Sequence, residues 1–257
     1  MTKNKTKTSL EISMELAKKT AIKAGLFLLK EIHNPKNILS SEGKDIKLEV
    51  DEKSETLIKN MLVVGSGFPV LGEEFGKTSE DLGDEYWVVD PLDGTINYLK
   101  GIPICCVSIA LMHNSKPVLG VIYDFINEEL YTGSLEHAAE LNGKPISVSN
   151  IAKIEEGVLV TGLPRKTDFS DNTLINMIDD MQKWKKVRMI GSAAMSACYV
   201  ASAKADLYKE KSTFLWDIAA GAAIVEAAGG VATLSNQQDG NLIDAVLSNE
   251  SLISIST

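Results

Sequence analysis

Residues 214–230, FLWDIAAGAAIVEAAGG, are small or apolar at almost every position between Asp217 and Glu226. A helix of that composition offers no face to water, so the fold must bury it. The stretch is broken by Glu226 and closed by two glycines, and it falls short of the ~20 apolar residues that span a bilayer. Asp217 reads as the N-cap of this helix, a carboxylate held close to the core. With 257 residues the chain is long enough for one large domain or two packed lobes around such a helix.

The remaining pattern mixes helices and strands. Leu10, Met14, Ala17, Ala21, Ala24 and Leu28 recur at three- and four-residue steps, which predicts a one-faced helix over residues 9–32, stopped by His33-Asn34-Pro35. PVLGEE, EYWVVDPLDG, CCVSIALM and PVLGVIYDF follow as short apolar runs, the last two around the turn His113-Asn114-Ser115. The turn-rich LNGKPISVSN near residue 150 divides the chain into an N-terminal α+β lobe, 1–149, and a C-terminal α/β lobe, 150–257.

Composition limits the function. A formal charge of −9 argues against a partner with a nucleic-acid backbone, which would call for clustered Lys and Arg. Cys105, Cys106 and Cys198 form neither a disulfide framework nor a CxxC pair, so a reducing compartment is expected. The lysine-rich start lacks the apolar core and cleavage site of a signal peptide. The expectation is a cytoplasmic protein with no membrane attachment.

Three acidic motifs carry the chemistry. In WVVDPLDGT, Trp87 to Val89 favour a strand, Pro91 forbids its continuation as a central ladder, and Asp93-Gly94 is a turn pair, so Asp90 and Asp93 share one bend. Asp93 is placed to cap a helix starting near Gly94, whose free N–H groups suit an anion. Glu73 and Glu74 follow an apolar run in VLGEEFG, and Asp217 opens the buried helix. Alone, DPLDG reads more readily as a capped surface turn and Glu73-Glu74 as a solvated pair, while Asp217 reads equally well as a simple cap. If Glu73, Asp90, Asp93 and Asp217 converge, their charges need a positive partner, and none of the motifs places Lys or Arg beside its acids. Oxygen ligands without His or Cys select a hard cation, Mg²⁺ or Mn²⁺.

GEE, WVVDPLDGTINYLKGIP and LWDIAAGAAIVEAAGG, in this order and at these separations, resemble the signatures of the inositol monophosphatase family of Mg²⁺-dependent, lithium-sensitive phosphatases. The resemblance runs from VDEKSE to the final AGG. It implies an α+β fold, a layered α-β-α-β-α sandwich of the inositol monophosphatase and fructose bisphosphatase type, usually a homodimer, with the metal site between the lobes. It makes Glu73, Asp90, Asp93, Asp217 and the Leu92 carbonyl the ligands of two or three Mg²⁺ ions. It assigns water activation to Thr95 with Asp51 and the phosphate turn to Gly94 and Thr95. Contacts to the substrate's hydroxyls fall on Gly191, Ser192, Ala193 and Ala194 and on Glu210. The implied substrate is an inositol monophosphate or a related polyol or sugar phosphate, hydrolysed by water without a covalent intermediate.

Two positions depart from the family pattern: Tyr98 stands where phenylalanine is more frequent, and Val50 where a threonine commonly precedes the catalytic aspartate. The loop SSEGKDIK is the expected support for a third, weaker Mg²⁺. Competing readings divide on single features. GEEFGKT is one residue short of a P-loop and sets acids where phosphates would lie. The spacing of Asp90 and Asp93 does not match the DxDxT nucleophile of the haloacid dehalogenase type. Ile96-Asn97 stands where 3'(2'),5'-bisphosphate nucleotidases tend to carry Lys-Glu. That enzyme and fructose-1,6-bisphosphatase remain alternatives, as does a non-catalytic dimeric binding protein that has kept the site.

Overall fold

The apolar step over residues 9–32 becomes helix α1 (Ser9–Glu31) in the computed structural model, which describes residues 8–34, 37–42, 45–163, 170–236 and 241–256. Thr8 opens α1 with a capping box: its hydroxyl accepts from Glu11 N while the Glu11 carboxylate accepts from Thr8 N. The helix ends on Ile32, and Pro35, the expected stop, lies outside the described residues. Strands β1 (Ile38–Glu42) and β2 (Asp45–Leu48) pair antiparallel. The loop expected to support a third ion falls partly outside the described residues, at 43–44. Helix α2 (Glu49–Ser66) follows and ends at Gly67, whose φ of 78° is the left-handed C-terminal turn.

The first sheet is built from β3 (Val70–Gly72), β4 (Gly76–Lys77) and β5 (Glu85–Asp93); then, after the short α3 (Thr95–Lys100), from β6 (Cys106–His113), β7 (Lys116–Asp124), β8 (Glu129–Ser134), β9 (His137–Leu141) and β10 (Lys144–Pro145). Its eight described strands run in the order β10-β9-β8-β7-β6-β5-β3-β4, antiparallel except for β3 against β5. Asn114 and Ser115, with φ of 49° and 62°, form a two-residue turn between β6 and β7, and His113, expected in the turn, is the last residue of β6.

The second sheet collects β11 (Val158–Thr161), then, after helix α4 (Asp171–Gln182), β12 (Lys186–Arg188). Helix α5 (Ala193–Ala201) leads to β13 (Leu207–Phe214), and the buried helix α6 (Leu215–Ala227) leads to β14 (Val231–Asn236) and β15 (Leu242–Ser248), with α7 (Glu250–Ser256) last. The order is β12-β11-β13-β15-β14, with β12, β11 and β13 parallel.

Alternation along each strand sorts side chains into layers. In β5, Trp87 and Val89 join Leu28, Ile58 and Leu62 under α1 and α2. Val88 points the other way, into a core shared by α5, α6 and the inner face of the second sheet through Val160, Tyr208 and Leu247. The outer face of the second sheet places Leu159 and Leu207 under Trp184 and Leu252. The result is the α-β-α-β-α sandwich. Helix α6 sits so close to the first sheet that a Cβ on Gly120 would overlap the Ala220 carbonyl oxygen. Among the described residues no helix is long and apolar enough to cross a membrane.

Candidate active site

Pro91 does not end β5. The strand runs to Asp93 and absorbs the proline as a bulge: Asp90 pairs with Ser108 and Asp93 with Cys106, so Pro91 and Leu92 together oppose Val107 alone. The bulge re-aims the two aspartates. Asp90 Oδ1 accepts from Leu92 N at 2.9 Å. Asp93 does not cap the helix that follows it. That helix, α3, starts from Gly94, whose φ of 85° and whose absent Cβ, 2.8 Å from the Ile104 carbonyl oxygen, leave room only for glycine. Asp93 Oδ2 instead accepts from Ser192 Oγ and, at 2.8 Å, from Ala194 N, which ties it to the start of α5, where Ser192 is the N-cap and accepts from Met195 N at 3.1 Å.

Asp217 is likewise not an N-cap. Phe214 holds that position in α6, and Asp217, in the first turn, reaches back to accept from Phe214 N at 3.0 Å and from Thr213 Oγ1 at 2.9 Å. Glu73 follows β3, where its N–H donates to the Val89 carbonyl at 3.2 Å.

These segments meet. Glu73, Asp90, Leu92, Asp93 and Asp217 line one cavity of about 280 Å³. Gly94, Thr95, Gly191, Ser192, Ala193 and Glu210 complete the expected part of its wall. Ala194 is buried behind it with its N–H on Asp93. Asp51 stands apart. It is 2% exposed and does not line the cavity; its Oδ2 accepts from Leu48 N at 3.0 Å, while Oδ1 is buried with no hydrogen-bond partner among the described residues. Thr95 Oγ1 donates to the Leu92 carbonyl at 3.1 Å, so the expected Thr95–Asp51 pair is not formed here.

Sequence reasoning missed several wall residues. Thr161, Gly162, Leu163, Ser196 and Thr213 also face the cavity. Thr161 and Glu210 become neighbours only through the parallel pairing of β11 with β13, which no local pattern reveals. Asn97, which does not line the cavity, was missed as a support of it: its Nδ2 donates to the carbonyls of Ile104 and Ile190, both at 2.8 Å, tying α3 to the segment before Gly191. An amide two residues after DGT was the only signal the sequence held, and its burial is visible only in the structure.

Crowding sets the electrostatics. Burial pushes the Glu73 and Asp90 carboxyls well above the ordinary carboxylate range, and Asp217 and Glu74 add to it at Glu73, Glu73 and Asp93 at Asp90. Asp93 is raised by burial, with the Ser192 and Ala194 bonds pulling the other way. Burial and then Asp93 push Asp217 up to about 7. Glu210 is raised to about 7 and Asp51 to about 8, both chiefly by burial. Among the described residues no lining residue is Lys or Arg. Lys47 gives its ion pair, 2.9 Å, to Glu74 instead. Among the described residues no three acids, histidines or cysteines already close on a single point as an ion-binding cluster. Asp90, Asp93 and Asp217 are each held by N–H or O–H donors of neighbouring segments, while the Glu73 and Asp90 carboxyls lie within hydrogen-bond reach of each other. Their chemistry nonetheless fits a divalent cation: several buried carboxylates and one backbone carbonyl, with no His or Cys ligand and no cation of the protein's own among the described lining residues.

The sequence model described as "Inositol monophosphatase family" matches residues 10–254. The chain belongs to the inositol monophosphatase family. That membership makes it a phosphoric monoester hydrolase, in a family that is generally metal-dependent. It is 38% identical over 232 residues to inositol monophosphatase 1 of Solanum lycopersicum, covering 87% of this chain and 84% of that protein. It is 34% identical over 251 residues to a fructose-1,6-bisphosphatase/inositol-1-monophosphatase of Aquifex aeolicus, covering 95% and 93%. The solved extragenic suppressor protein suhB from Bartonella henselae superposes with a TM-score of 0.85 at 32% identity, covering 93% of this chain and 95% of that one.

Proposed function

We propose that the chain is a Mg²⁺-dependent phosphomonoesterase that hydrolyses an inositol monophosphate or a related polyol or sugar phosphate with activated water. The observation that carries this reading is the convergence of Glu73, Asp90, Asp93 and Asp217, from three distant segments, on one cavity whose lining, among the described residues, holds no basic side chain. In this reading Glu73, Asp90, Asp93, Asp217 and the Leu92 carbonyl hold two or three Mg²⁺ ions, with Mn²⁺ as a substitute. Bound there, the ions supply positive charge and Lewis acidity to the ester and its attacking water. Gly94 and Thr95 receive the phosphate. Thr95 orients the water, and Asp51 Oδ1, buried and without a hydrogen-bond partner among the described residues, is the acceptor for the threonine hydroxyl in this reading. Glu210 and the 191–193 segment meet the substrate's hydroxyls.

Ile96-Asn97, where 3'(2'),5'-bisphosphate nucleotidases tend to carry Lys-Glu, favours a polyol or sugar phosphate over an adenosine bisphosphate. The bifunctional name of the Aquifex aeolicus relative supports fructose-1,6-bisphosphate as the second substrate reading. A purely non-catalytic binding role is disfavoured by the complete set of acids. The same reading includes a homodimer, sensitivity to lithium and a cytoplasmic location.

The test is phosphate release from inositol 1-phosphate, fructose 1,6-bisphosphate and adenosine 3',5'-bisphosphate, each with Mg²⁺ and with added Li⁺. Inositol 1-phosphate is expected to turn over fastest and to be inhibited by Li⁺. Faster turnover of the adenosine compound would replace the substrate assignment, and no release from any ester would restore the binding-protein reading.

A further inference from the structure

Helix α2 turns Asp51, Ser54, Glu55, Ile58 and Leu62 inward. Ile58 and Leu62 join the core beneath β5, yet Glu55, an acid, is equally hidden, with 0% exposure. Its carboxylate spans the turn that follows β3: Oε2 accepts from Glu74 N at 2.7 Å and Oε1 from Phe75 N at 3.1 Å. Gly72 leaves the room this carboxylate fills: a Cβ there would overlap Glu55 Oε1 and displace it. One turn along α2, Lys59 sets its ammonium 4.5 Å from the centre of the Phe75 ring and closes over the same turn. One residue earlier, Ser54 Oγ donates to the Pro91 carbonyl at 3.2 Å, inside the bulge that aims Asp90 and Asp93.

A single turn of α2 therefore grips both acidic motifs, one through a carboxylate and one through a hydroxyl. Burying a carboxylate is costly unless its oxygens are satisfied, and here two successive backbone amides satisfy them. Glu55 does not line the cavity, so its work is done on the turn and not on a substrate. We propose that Glu55, assisted by Ser54, is a positioning residue: it fixes the 73–75 turn so that the Glu73 carboxylate stands opposite Asp90 and Asp93, ready to share a divalent cation. This inference rests on the reading of Glu73 as a metal ligand.

Mn²⁺ binding to the purified protein, followed by the electron paramagnetic resonance of the free ion, tests it without relying on turnover. Glu55→Gln leaves one of the two amides facing an NH₂ group. The expected result is a folded protein, by circular dichroism, that binds Mn²⁺ about tenfold or more weakly, the range found when groups that orient metal ligands are altered. Glu73→Ala is expected to weaken binding at least as much. The double variant should then be no weaker than Glu73→Ala alone, since both changes act through one side chain. Should Glu55→Gln fail to fold, Glu55→Asp, which keeps the charge and shortens the reach, is expected to show a smaller loss in the same titration. Wild-type Mn²⁺ affinity in the folded Glu55 variant, with Glu73→Ala impaired, overturns the positioning role. So do additive losses in the double variant. Wild-type affinity in Glu73→Ala overturns the ligand reading and the inference with it.

Discussion

The Tyr98 hydroxyl reaches across the first core to donate to the Leu28 carbonyl of α1 at 2.8 Å, with only 1% of the residue exposed. Read from sequence, this position keeps an aromatic ring and leaves the metal acids alone; the structure adds that the extra oxygen ties α3 to α1. Tyr98→Phe is therefore expected to lower stability by about 1 kcal/mol, the net value of a buried hydrogen bond, while phosphate release stays unchanged. Urea unfolding beside an activity assay checks both halves. The acids themselves were legible because carboxylates at a strand end and in the first turn of a buried helix conflict with their surroundings. Their partners were not. Ser192 and Thr213, which hold Asp93 and Asp217, are ordinary hydroxyl residues until the fold brings them within reach.

At the scale of elements, the apolar helix and the bulged strand decide where the carboxylates sit. Helix α6 rests on β7 with no side chain between the Gly120 Cα and the Ala220 carbonyl. Gly120→Val is expected to push α6 off the sheet, costing roughly 1–3 kcal/mol or more for overpacking, and to move Asp217 with it. A lower thermal midpoint together with weaker Mg²⁺ activation would register the two effects. The burial of α6 was readable from its composition, because a helix without a polar face has nowhere else to go. The position of Asp217 within its first turn was not, since cap and first-turn acids share the same preference for helix N-termini. Pro91 misled for a related reason. Proline is excluded from a regular central ladder, but a bulge supplies the unpaired position that it tolerates.

For the whole molecule, both sheets share one core through α5 and α6. We propose that the lobes 1–149 and 150–257 unfold together. A single calorimetric transition is expected, with equal calorimetric and van't Hoff enthalpies. Without divalent ions the buried acids also set a pH dependence. Asp217 and Glu210 are raised to about 7 and Asp51 to about 8, so the folded protein holds their protons more tightly than the unfolded chain. Their contribution to stability is fully present below the ordinary carboxylate range, near pH 4, and is lost as pH rises through 7 to 8. In EDTA the thermal midpoint should fall across that window, and excess Mg²⁺ should flatten the curve by binding only the folded state. The layered architecture followed from the motifs' resemblance more than from any local pattern, because the pairing of β11 with β13 and the sharing of one core are long-range facts. The most direct measurement of the central claim is calorimetric titration of Mg²⁺ into the wild-type protein and into an Asp90→Asn/Asp217→Asn variant. Saturable binding to the wild type that is abolished in the folded variant is the predicted result; equal affinity and stoichiometry in the two proteins would contradict it.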